Sequence, residues 1–143
     1  MSQLPITGIV LLNAKQATGI DSPGAAVAGY PIKYIDIVAA GLAAGDSYTV
    51  KIVGSNQDDC PDFTAASSTT NLWTYARCTI KDSNTTIVGS TGLTLSSGGT
   101  YDNGTYTLNV EGQGFKWINA IITAKTDADD SASISAFLSV YDD

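Results

Sequence analysis

Apolar and polar residues alternate with a period of two along most of this chain, and no stretch sustains the 3.6-residue apolar stripe of an amphipathic helix. Residues 6–13 (ITGIVLLN) read as a strand, and so do residues 30–40 (YPIKYIDIVAA), with Pro31 near the start where a missing N–H is tolerated. Residues 47–54 (SYTVKIVG) place Tyr48, Val50 and Ile52 on one face and Thr49 and Lys51 on the other. In residues 72–80 (LWTYARCTI), Trp73, Tyr75 and Arg77 oppose Thr74, Ala76 and Cys78. Residues 85–89 and 92–96 form short strands after a turn at 81–84. Residues 115–124 and 132–141 are the last two strands, joined by the acidic connection 125–131.

The sharpest local signal lies in residues 96–112. There Asn103-Gly104 suits a type I′ turn, which predicts a hairpin with Tyr101 and Tyr106 facing each other across it. About eight strands with turn signals at short intervals and no helix of note predict an all-β fold. The expected architecture is an antiparallel β-sandwich, jelly-roll or immunoglobulin-like. Its inner faces are expected to carry Tyr48, Val50 and Ile52, then Tyr106, Leu108 and Val110, then Ile134, Ala136, Leu138 and Val140.

The chain of 143 residues reads as one domain, residues 1–143, with a single core. Two segments interrupt the alternation. Residues 14–29 are rich in Gly and Ala and read as an extended arm; residues 55–71 form a long Ser/Thr-rich acidic loop.

Composition narrows the possible functions. Apolar content is 43% and charged content 15%, which describes a globular chain. The net charge of −7, with six scattered Lys and Arg77, argues against nucleic acid as a partner, because phosphate contacts need clustered cations. No apolar run approaches the length of a membrane span, and residues 1–13 lack a basic leader region, so neither a membrane nor a secretory route is expected. Assembly in a host cytoplasm fits that reading.

With no His in the chain, Ser/His/Asp and Cys/His constellations cannot be built, no cofactor is implied, and no enzyme activity is expected. Asp58, Asp59 and Asp62 in the loop, and Asp127, Asp129 and Asp130 in the last connection, are hard oxygen ligands of the kind calcium takes. Neither group follows the EF-hand pattern, so turn capping and solvation is the preferred reading. Cys60 and Cys78 would either clip the loop to the following strand or remain two free thiols, and the second is favoured. Glycosylation triplets begin at Asn84 and Asn103 and matter only on a eukaryotic secretory route. Trp73, Tyr75 and Trp117 are the exposed-looking aromatics suited to stacking on a sugar ring, Trp73 and Trp117 foremost, which keeps a carbohydrate-binding or adhesion module as the alternative to a packing role.

Three features in order carry a resemblance: a strand ending in VKIVGSNQ at 50–57, a Trp strand at WTYA, and FKWINAIITA at 115–124 leading into a final alternating strand. Together they resemble small β-sandwich structural proteins of tailed bacteriophages, over roughly residues 47–141. The turn departs from that pattern, because Gln57 stands where an acid is expected and Asp58-Asp59 open an unusually long insertion. The resemblance implies a virion role: a capsid auxiliary protein of the decoration or cement type on the outer head surface, or a tail or head-fibre component. Its implied partners are the major capsid protein or other virion proteins, with self-association into a homo-oligomer. The contact loop is then expected to work through Ser55, Asn56, Asp58, Asp59, Asp62 and Phe63, with residues 14–29 as a second surface.

Overall fold

The structure is a computed structural model that describes residues 4–81, 83, 85–87, 89–111 and 114–142. Among them no helix forms, and eleven strands build two antiparallel sheets packed as a sandwich. The strands are β1 (Ile6–Lys15), β2 (Ala25–Ala26), β3 (Ile32–Ala40), β4 (Ser47–Ser55), β5 (Thr74–Tyr75), β6 (Cys78–Ile80), β7 (Thr86–Ile87), β8 (Leu93–Ser96), β9 (Gly104–Val110), β10 (Trp117–Thr126) and β11 (Ser133–Tyr141). The first sheet runs β1-β11-β3-β9-β6-β7. The second runs β2-β10-β4-β5, with β8 also pairing β4.

Leaving aside the short β5, β6 and β7, eight strands remain, and their pairing is nested. β1 pairs β11, β2 pairs β10, β3 pairs β9 and β4 pairs β8, all antiparallel. Successive pairs fall in alternate sheets, so the chain is one long antiparallel ribbon rolled on itself. That is the jelly-roll arrangement, and it decides between the two topologies left open above. The roll closes where β11 lies beside β3 and β10 beside β4, in registers that set Leu138 opposite Ile35 and Ala120 opposite Ile52.

The core follows from period two. Alternate residues of β3, β4 and β11 are buried, and Ile35, Ile37, Tyr48, Val50, Ile134, Ala136 and Leu138 are at most 2% exposed. Removing such side chains from water, at roughly 25 cal/mol per Å² of apolar area, is the main stabilising contribution.

Three expectations about local structure change. Residues 14–29 are extended but do not project as an arm. Ala14 and Lys15 belong to β1, Gly19 exchanges backbone bonds with Ile122 at 2.8 and 3.0 Å, and β2 pairs Trp117 and Ile118. Ala25 and Val27 enter the core. The small side chains that would have let a neighbour approach instead let this segment lie against β10 and satisfy its backbone groups there. Residues 72–80 are two strands, not one: β5 pairs β4 in the second sheet and β6 pairs β9 in the first. Finally, Asn103-Gly104 turns no hairpin. β8 and β9 lie in different sheets, and Gly104 takes a positive φ (145°) while Asn103 does not. The Asn103 side chain instead accepts from Leu42 N at 2.8 Å and donates to Leu42 O at 3.1 Å, tying two connections together. Tyr101 and Tyr106 still meet edge to face, with ring centroids 5.4 Å apart. Asn84, the other triplet, lies outside the described residues.

Candidate functional site: a pinned surface loop

The long loop follows β4 and resumes as β5, so it spans residues 56–73. Ser55 closes β4 as a buried residue; its hydroxyl donates to Leu72 O at 2.6 Å and accepts from Gln57 N at 3.2 Å, which draws the two ends of the loop together. Trp117 on β10 donates its indole N–H to Gln57 O at 3.0 Å. Asp58 forms an ion pair with Lys116 at 2.6 Å, and the hydrogen bond from that ammonium group lowers its carboxyl pKa. Asn56 and Asp59 face solvent.

The middle of the loop is held by Asp62 and Asn71. Asp62 N donates to the Asn71 side-chain oxygen at 2.7 Å, and the Asn71 amide returns a bond to Asp62 O at 3.0 Å. The Asp62 carboxylate accepts from the hydroxyl and the N–H of Thr64, and both bonds hold its pKa below the ordinary value. Asp62 is therefore a turn cap within the loop.

Aromatic packing anchors the far end. Phe63 is 3% exposed, and a Cβ placed on Gly24 would meet its ring at 2.9 Å, so the loop docks on the segment before β2. Trp73 sits between Phe63 and Tyr75, with ring centroids at 6.4 and 5.4 Å, and donates its indole N–H to Ala65 O at 3.0 Å. Lys51 lies over the Tyr75 ring at 5.1 Å. Among the polar residues that face water, the loop and β5 also present two large apolar side chains: Leu72 is 56% exposed and Tyr75 38%.

Of the six residues expected to make contacts, Asn56, Asp58, Asp59 and Asp62 lie at the surface, while Ser55 and Phe63 are interior supports. Tyr75 is exposed, as its sequence context suggested, whereas Leu72 was missed, because a reading of 72–80 as one strand gave no reason to expose it. Trp73 and Trp117, the candidate sugar platforms, both direct their N–H groups into the loop and serve to hold it.

The acidic connection before β11 forms a different structure. Asp46, Asp127 and Asp129 each bring a carboxylate oxygen within 4.8 Å of the others, a spacing a cation would accept. Those oxygens are already engaged. Asp127 accepts from the Tyr48 hydroxyl at 2.8 Å, Ala132 N at 3.0 Å and Ser131 N at 3.2 Å. Asp46 accepts from Ala43 N at 2.9 Å and the Ser131 hydroxyl at 3.0 Å. Burial pushes the Asp127 carboxyl up, but bonds from Ala132 N–H, Tyr48 and its other neighbours outweigh it and hold the group down to about 2. Asp130, expected with this group, pairs with Lys125 instead. These carboxylates cap a turn and fasten it to the buried Tyr48. Cys60 and Cys78 are both free thiols. Burial, with a smaller push from Glu111, raises Cys78 to about 12, so it stays a neutral apolar side chain near neutral pH.

Comparison with protein-family models, with characterised proteins and with solved structures finds no match.

Proposed function

We propose that this chain is a non-enzymatic structural protein of a phage particle, an auxiliary protein of the decoration or cement type on the outer capsid surface. Its docking surface is the 56–73 loop together with Tyr75. The observation that carries this reading is that the loop is built in advance. Its ends, middle and aromatic base are fastened by Ser55, Asn71 and Trp73, and it still presents Leu72 and Tyr75 to solvent. A loop already ordered loses little conformational entropy on binding, which raises the affinity available from a small apolar contact. The charge of −7 suits the outside of a capsid better than a lumen filled with phosphate. Rolled ribbons also occur among viral capsid domains, lectins and cupins, so the topology by itself selects no function.

Particles purified from the phage genome that encodes the chain supply the test. The protein is expected as a stoichiometric component, accessible to antibody on intact heads. Replacing Leu72 by Asp and Tyr75 by Ala together should lower its occupancy about tenfold or more. Leu72→Asp alone should lower it with thermal stability near the parent value, because Leu72 is exposed whereas Tyr75 packs on Trp73. Absence from purified particles, or occupancy indifferent to both changes, overturns the proposal. Labelling on tails or fibres would move it to a different part of the virion and contradict the capsid assignment.

A further inference from the structure

A hollow of about 380 Å³ lies beside β9, away from the pinned loop and bounded by Ile80, Ser83 and Thr85 and by the connection that enters β9. It is lined by Tyr101, Tyr106, Thr85, Thr100, Thr105 and Thr107, among others, and among the described residues no Asp, Glu, Lys or Arg lines it. We propose that this hollow binds a neutral sugar.

The hydrogen-bonding directions are largely fixed. The Tyr106 hydroxyl donates to Asp102 O at 2.8 Å and the Thr107 hydroxyl to Asp36 at 2.5 Å, which leaves both oxygens to a ligand as acceptors. Thr85 accepts from the Ser83 hydroxyl at 3.0 Å, which leaves its own proton to donate. Among the described residues, the hydroxyls of Tyr101, Thr100 and Thr105 have no protein partner and serve in either sense. The backbone adds a further pair of groups. Lys81 N donates to Thr107 O, so the edge of β9 that carries Thr107 O faces the β6–β7 turn, and Thr105, two residues earlier, presents its N–H and C=O along that same edge.

This combination matches one class of ligand. A pyranose ring has an apolar C–H face, which suits the half-buried Tyr101 and Tyr106 rings, and a rim of hydroxyls that each donate and accept. An ion brought here would lose hydration without gaining a counter-charge. The volume falls within the range of small-molecule sites, roughly 300–1,000 Å³. Sugar binding here does not depend on where in a particle the protein resides.

Calorimetric titration with the methyl glycosides of glucose, galactose, mannose and N-acetylglucosamine tests the assignment, with methyl sialoside as the anionic comparator. At least one neutral glycoside is expected to bind with a Kd of about 10 mM or tighter. Tyr101→Ala should weaken it about tenfold, and Tyr101→Phe, which keeps the ring contact with Tyr106, about fivefold. Trp117→Phe should leave it unchanged. No neutral glycoside binding up to about 50 mM, affinity unaffected by both Tyr101 variants, or preference for the sialoside each overturns the proposal.

Discussion

Gly41→Ala is expected to destabilise the protein by about 3 kcal/mol, lowering Tm by about 10 °C. Gly41 follows the last residue of β3 at a φ of +77°, where a Cβ costs about 1–2 kcal/mol. A Cβ there would also stand 2.4 Å from Ser131 O. That oxygen has little freedom to retreat, because Ser131 N is bonded to Asp127 and the Ser131 hydroxyl to Asp46. On the other side, Asn103 fixes Leu42 through both its backbone groups. Gly98→Ala is the control: φ is +75° there, but nothing lies within 4 Å of the added carbon. It should cost only about 1 kcal/mol. Denaturant midpoints for the two variants check the difference, and equal losses would mean that the 41–42 and 131–132 connections are not packed together.

Alkaline solution is expected to unfold the protein ahead of ordinary chain chemistry. Cys78 titrates at about 12 when folded against 9.0 when free, so the native state withholds the ionisation that the unfolded chain undergoes. Its contribution is fully present below pH 9 and is lost as pH rises toward 12, by about 1.4 kcal/mol per unit, or about 3 kcal/mol by pH 11. Tyr48 acts in the same direction from pH 10 upward, its phenol raised first by burial and then by the hydrogen bond to Asp127. Stability measured between pH 8 and 11 should fall along this course. Cys78→Ala should flatten the portion between pH 9 and 10, and an unchanged slope in that variant would remove Cys78 as the cause.

What the sequence revealed depended on how local each cause was. The inner faces of β4 and β11 were legible because period two is a property of neighbouring residues, and Tyr48, Val50, Ile134 and Leu138 all face the core as read. The roll itself was not legible, since β1 pairs with β11 across nearly the whole chain, Ile6 lying opposite Val140. The two-residue β2 shows no period at all, and residues 72–80 divide between the sheets as β5 and β6, which is why about eight strands were expected and eleven are present among the described residues. Asn103-Gly104 carried a hairpin signal that the structure does not follow, because the Asn103 side chain is taken up by Leu42, 61 positions away. The same distance problem hid the buried role of Asp127, whose partner Tyr48 is 79 positions distant.

The loop shows both outcomes within a few residues. Its length and acidity marked it as a surface feature, and Asp58 and Asp59 are indeed exposed. Which apolar residues point inward was decided by tertiary partners: Phe63 packs against Gly24, while Leu72 stays 56% exposed.

Backbone order parameters for residues 56–73 in the isolated protein bear on the preformed surface most directly. Values near those of β4 and β10, about 0.85, are expected throughout, with a drop only when Asn71 or Trp73 is replaced by Ala. Values below about 0.6 in the parent protein would contradict a surface built before its partner arrives.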